Sequence, residues 1–422
     1  HRYMLSSTTI ELSTSIPIPR ARPPKDIMFR LTSEANIRKN VATTEIGMER
    51  LMNLTRTAYG TWSGGRYMQF GEKLEEDRYL ECIRLAYESG VRTFVSADVY
   101  GHGQADAALA EALSAYPRES YCLVGTIGHD FYEGARSGAG GYPRFTDPGL
   151  RKPAAYGDYL RMACEKSLLN SRTDHFDLLL LHNPDELGYT QEGVWKAVAA
   201  LKEEGMVQRL GVAPGPANGF VLDLICSFER FGELIEWAMI IINPLEPWPG
   251  QFVLPAAREH GVEILTRVVD YGGLFQGDVK PGHEFKPGDH RSYRPEGWVE
   301  EGHERILEME PIIRRHGLSL LHFACLWNLS QEPVKSVVPT FIQEGGADAR
   351  PIEDKIREFG TLPEVVLSAE EIEEVRVAGD NTGCMPLKGA SYRHERSERA
   401  DEWPMRSELT EIADRYGVIA EW

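Results

Sequence analysis

Eight times along the chain a short apolar run stops at a polar turn, most often followed by residues at helical spacing, and this recurrence constrains the fold more than any other feature. The runs are the stretch from Leu54 that ends in Tyr59-Gly60-Thr61-Trp62, Thr93 to Val95, Tyr121 to Thr126, Phe176 to Leu181, Val207 to Val212, Ala238 to Ile242, Val262 to Thr266, and Val334 to Val338. Between them, Glu76 to Ser89 places Leu80, Ile83, Leu85 and Ala86 on one helical face, and Tyr159 to Leu169 and Gln191 to Glu204 read as further helices. Short apolar strands alternating with helices imply an all-parallel sheet of the α/β class, and eight such units close most simply into a (β/α)8 TIM barrel. A doubly wound sheet would want GxGxxG after the first strand; Gly60 to Gly65 reads GTWSGG and does not supply it.

The flanks read differently. Residues 1–50 set Pro17, Pro19, Pro23 and Pro24 among Ser and Thr, as an extended N-terminal arm does. The barrel is expected over 51–360, and 361–422 as a C-terminal helix and a long polar tail covering the barrel mouth. A formal charge of −18 repels nucleic acid and anionic lipid, which leaves small molecules as partners. No apolar run approaches the ~20 residues that span a bilayer, and six cysteines without CxxC spacing suit a cytoplasmic protein. Oligomeric state has no signal in the sequence.

In a (β/α)8 barrel the reacting groups stand where strands end. The second strand ends in Asp98-Val99-Tyr100-Gly101-His102-Gly103, the third opens at His129-Asp130 into a long Gly-rich loop, and the fourth ends in His182-Asn183-Pro184-Asp185. A phenol in such a place acts as a general acid if neighbours lower its pKa from about 10; alternatively it is a tyrosine that caps the core. Further polar groups at strand ends are Glu246, Asp270 and Arg291. Asp130 with Asp270, or Asp98 with Glu246, would form a carboxylate pair for acid and base work, and His102 or His129 would shuttle the proton; each residue alone also suits a cap or ion pair. Trp62, Trp248 and Trp298 offer faces for a sugar ring or fill the mouth. No local spacing such as HExxH selects a metal, and none is expected.

The run ADVYGHGQADAALAEAL, followed in order by HNPD, KEEGMVQRLGV, IINPLEP and RVVDYGGLF, resembles the aldo-keto reductases over roughly residues 50–360. The resemblance implies reduction of carbonyls with NADPH by a tetrad of Asp, Tyr, Lys and His. Tyr100 and His182 match two of its members, whereas Val95 stands at the Asp position and Thr126 at the Lys position. At the positions that clamp the nicotinamide amide the chain has Ala213, Pro214 and Met239. Arg267 matches the residue that stacks on the nicotinamide, and Gly272, Gly273 and Leu274 match the loop that passes the diphosphate. Asn243 is grouped with these cofactor contacts, and Arg350 either meets a 2′-phosphate or is a solvated arginine at a helix start.

The expected assignment is Tyr100, His182, Asp98, His129 and Asp130 as catalytic residues and Trp62, Trp248, Glu246 and Asp270 as substrate contacts, with a polar sugar- or polyol-like substrate. Three functions follow: NADP-dependent oxidoreduction, placed first because of the resemblance; cofactor-independent lyase, dehydratase or isomerase chemistry using Tyr100 and a carboxylate; and a non-catalytic binding or regulatory subunit. The joint loss of five redox-related positions supports the second.

Overall fold

The computed structural model describes residues 54–136, 141–215, 218–384 and 405–418. The arm expected over 1–50 lies outside them. Eight parallel strands follow one another in spatial order: β1 (Ala58–Gly60), β2 (Thr93–Val95), β3 (Cys122–Ile127), β4 (Leu178–His182), β5 (Leu210–Ala213), β6 (Trp237–Ile241), β7 (Glu263–Arg267) and β8 (Val334–Val338). A parallel bridge between Thr57 and Val337, with the Val337 N–H donating to Arg56 O at 2.9 Å, brings the last strand back to the first. This is the (β/α)8 barrel that the sequence period predicts.

Strand boundaries move by up to four residues from the apolar runs, and at β4 and β5 the reason is partnership. Phe176 and Val207 are apolar and extended, but they pair only with each other in an isolated bridge, and the continuous ladder begins at Leu178 and Leu210, where the flanking strands come into register.

Side-chain alternation splits the strands into two layers. Ala58, Val95, Val124, Leu178, Leu180, Ala213, Trp237, Met239, Leu265 and Val338 fill the barrel interior. Tyr59, Phe94, Leu123, Leu179 and Leu181 face the helices in a larger outer core. Both faces are dry, which is why these strands read as continuous apolar runs.

After Tyr100 the chain turns through three left-handed residues, Gly101 (φ 59°), His102 (φ 54°) and Gly103 (φ 86°), into the helix Gln104–Ala112. A Cβ on Gly103 would stand 2.2 Å from Asn170 Nδ2, so the turn is compact only because that residue is glycine. Of the tail, the helix Ala369–Ala378 leads to Asn381, whose amide brackets the Trp248 backbone by accepting from its N–H and donating to its O, both at 2.8 Å. The helix Ser407–Tyr416 packs on Val221–Phe231, on the outside of the barrel. Residues 385–404 and 419–422, to which the mouth-covering expectation also applied, lie outside the described residues. Among the described residues no helix is long and apolar enough to cross a membrane.

Candidate active site

Tyr100 and His182 converge. The half-buried Tyr100 meets the His182 ring edge-to-face at 6.0 Å between centroids, and Trp62 closes its other side at 6.4 Å. Trp62 is itself fixed by its indole N–H, which donates to Thr340 Oγ1 at 3.0 Å. His129, from the end of β3, stacks edge-on against His182 at 4.8 Å.

Two arginines complete the group. Arg144, in the long loop after β3, donates to the carbonyls of Asn183 and Tyr142 and stands 3.1 Å from His129 Nδ1. Asn183, held at φ 45°, lies 3.1 Å from His129 Nε2. That contact is made by the Asn183 amide nitrogen, so with Nδ2 donating to the ring, Nε2 is the acceptor. Burial and the Arg144 charge hold the His129 pKa well below its usual value, so the ring is neutral. Neither Arg144 nor Asn183 was assigned from the sequence; Asn183 was visible inside HNPD, whereas Arg144 sits in a loop without pattern.

Arg267 leaves the end of β7 and donates through Nη2 to the carbonyls of Pro214 and Gly215, both at 2.9 Å, while its Nε is buried with no partner among the described residues. Burial lowers its pKa, and Tyr100, Tyr189 and Glu246 oppose that shift. The same guanidinium acts on both rings. Burial, then Arg267, then Arg144 push His182 down to about 3, so its imidazole is neutral, and with Nδ1 sealed its accessible chemistry lies at Nε2. Burial raises Tyr100, and Arg267 is the one charge that pulls it back, so Tyr100 is a protonated donor at neutral pH. Val95 lies buried in the interior apolar layer, and Thr126 Oγ1 donates to Ser96 O at 3.1 Å.

The other expected residues are placed elsewhere. Asp98 is 1% exposed, and its charge acts on Tyr132, Tyr159 and Cys164 in the strand–helix layer, not on Tyr100. Asp130 caps its own loop, accepting from the Tyr132 and Glu133 N–H groups and pairing with Arg151. Asp270 accepts from Thr340 N (2.7 Å), Gly273 N (2.9 Å) and Gln276 Nε2 (3.0 Å), tying the β7 loop to the end of β8. Asn243 donates to Glu246 Oε2 and Val268 O and accepts from Leu245 N. Arg350 pairs with Glu358. Trp248 packs in the outer core rather than against Tyr100, and His102 stacks on Phe131 at the rim. Glu246, its side chain 12% exposed, remains in range of Arg267 and lies 3.7 Å from Arg294. Short polar side chains beside a strand end find backbone donors first, and sequence position alone does not reveal this.

Asp98 yields a stability prediction. Burial, reinforced by Asp106, raises its pKa well above the carboxylate range. A carboxyl whose folded pKa exceeds its unfolded value of about 3.9 stabilises the fold fully at low pH and loses that contribution as pH rises past the unfolded value. Asp98→Asn removes the loss. Its melting temperature is expected to exceed that of the wild type at pH 8, by the equivalent of about 1 kcal/mol or more, and the gain should shrink toward pH 4; a difference constant with pH would contradict this.

The gap between the nicotinamide clamp and this mouth is also geometric. Ala213 and Met239 bear no hydrogen-bonding side chain, Pro214 has no N–H, and the Pro214 and Gly215 carbonyls already accept from Arg267. On the loop matched to the diphosphate, the Gly273 N–H is taken by Asp270, and Arg291 covers Gly272, donating to its carbonyl at 3.2 Å. These residues do not fit a nicotinamide dinucleotide held by the family's contacts.

The architecture is a parallel (β/α)8 barrel with a tyrosine after β2 and a histidine closing β4, and comparison gives the family. The family model described as Aldo/keto reductase family matches residues 57–374, and the chain belongs to that family. The aldo-keto reductase YhdN of Bacillus subtilis is 23% identical over 282 residues, 66% of this chain and 78% of its own length. The 6-dehydroglucose reductase of Agrobacterium fabrum is 30% identical over 170 residues, 40% of this chain and 52% of its own. The structure of the glycerol dehydrogenase from Gluconobacter oxydans matches 84% of this chain and 95% of its own with a TM-score of 0.60 at 21% identity, a likeness of fold.

Proposed function

We propose that this family member catalyses proton transfer on a small hydroxylated carbonyl compound, as an isomerase or dehydratase does, rather than hydride transfer. The observation that carries the reading is the position of Arg267: its guanidinium is bonded to the Pro214 and Gly215 carbonyls, beside Tyr100 and His182, at the strand ends that the family resemblance gives to the nicotinamide. Tyr100 and neutral His182 act as paired donors to the substrate's carbonyl oxygen, which stabilises the negative charge that develops there when an adjacent C–H is lost. Glu246 is the carboxylate that takes this proton; its environment is polar, with Asn243 and Arg294 beside it. The phenol and the imidazole need no ionisation for this role, so their positions above and below the usual pKa values suit it. A polyol-like substrate accords with the names of the relatives, one of which is a 6-dehydroglucose reductase and another a glycerol dehydrogenase.

Family membership favours a second reading, NADP-dependent oxidoreduction on the same class of substrate. NADPH titration separates the two. The proton-transfer reading expects no rise in melting temperature at millimolar NADPH or NADH; binding at micromolar concentration would produce a shift by mass action and would favour the oxidoreductase.

A further inference from the structure

We infer that the substrate carries a carboxylate seated on Arg267, which makes it a sugar acid rather than a neutral sugar; the inference deepens the proposed reading of this mouth as the reactive site and rests on it. Three other cations packed into the barrel have acidic partners. Arg291 is gripped by Asp289 and Glu344, Lys355 by Asp278, and Arg151 by Asp130. Arg267 differs. Among the described residues no carboxylate lies within ion-pair distance of it, its Nε is sealed without an acceptor, and two carbonyl oxygens share one of its nitrogens.

Glu246 is the acid that acts on it, yet Glu246 is turned to Asn243 at 3.2 Å and Arg294 at 3.7 Å. Removing a guanidinium from water without a counter-ion is costly, and two carbonyl dipoles offset only part of that cost. The side chain is not wholly enclosed, so an anion entering the mouth can reach it. The chain as a whole carries −18, so a recessed cation at the end of the barrel is a local exception that draws small anions from solution. With both Nη2 hydrogens given to the two carbonyls and Nε sealed, Nη1 is the donor left for a ligand, and a carboxylate supplies it with one negative charge for one cation. The polyol part would then lie toward Tyr100 and Trp62, and the carbonyl between Tyr100 and His182.

The test is binding, which does not depend on turnover. Glucuronate, glucose and sulfate at matched ionic strength are titrated against the wild type, Arg267→Gln, Arg267→Lys and Tyr100→Phe, with melting temperature and calorimetry as readouts. Glucuronate is expected to bind the wild type and Tyr100→Phe at least about 10-fold more tightly than glucose, a difference of about 1.4 kcal/mol. Arg267→Gln should abolish that preference and Arg267→Lys keep part of it, and the lysine variant decides the matter if the glutamine variant does not fold. Equal binding of glucose and glucuronate, no binding of glucuronate, a preference that survives Arg267→Gln, or a sulfate effect equal to that of glucuronate would each overturn the inference. Binding that follows Arg267 in a protein that moves no substrate proton would leave this inference standing and remove the proton-transfer reading.

Discussion

Tyr100→Phe is expected to reduce turnover of the true substrate by ~100-fold or more while leaving the melting temperature nearly unchanged. The ring makes the contacts that hold the site together, edge-to-face with His182 at 6.0 Å and with Trp62 at 6.4 Å, and phenylalanine keeps both. Among the described residues the hydroxyl makes no hydrogen bond to protein, so its removal orphans none of them. A 100-fold loss corresponds to about 2.7 kcal/mol of transition-state stabilisation, a plausible share for one of two donors to a developing oxyanion. Activity within a few-fold of wild type, measured as kcat on any substrate the protein turns over, would return Tyr100 to the role of a tyrosine capping the barrel.

Arg291→Met should have the largest effect on stability. Arg291 is 2% exposed and holds Asp289 through Nε and Nη2 at 3.0 and 2.8 Å, and Glu344 through Nη2 at 3.1 Å, with a further donation to Glu344 through Nη1. Methionine fills much of the volume but leaves two buried carboxylates facing each other without their guanidinium, with His283, 3.6 Å from Glu344, as a remaining basic neighbour, a defect that costs about 3–5 kcal/mol. The loops after β1, β7 and β8 should loosen together, because Asp289 also accepts from Gly71 N and Arg291 also holds the Gly272 carbonyl. Denaturant unfolding measures this. A loss below about 1 kcal/mol would show that the two acids find protons or solvent at little cost.

The fold was readable because its signal is repeated: eight apolar runs, each long enough to be buried on both faces, leave few alternatives to a closed parallel barrel. Tyr100 and His182 were readable for the same reason, since both sit where a strand ends. The carboxylates were not. Asp98, Asp130 and Asp270 occupy equivalent strand-end positions, but a rotation of one residue about a strand end sends Asp98 into the strand–helix layer, and the free N–H groups of the loops capture Asp130 and Asp270. Arg267 was recognised as a residue of the mouth, yet its partners, two backbone carbonyls across the end of β6, depend on geometry that no sequence spacing encodes. Arg144 reaches His129 from 15 positions away inside an irregular loop, where neither periodicity nor motif marks it.

Tyr100, His182 and Glu246 are proposed to move a proton on a hydroxylated carbonyl acid without hydride transfer. Proton NMR in D2O tests this most directly, following the hydrogen next to the carbonyl in a panel of uronates and keto-aldonates, with no nicotinamide added. The wild type is expected to replace this hydrogen by deuterium for at least one member of the panel, and Tyr100→Phe to slow the exchange by ~100-fold. Exchange absent from the whole panel, together with consumption of NADPH and a product hydrogen that comes from the cofactor instead of the solvent, would contradict it.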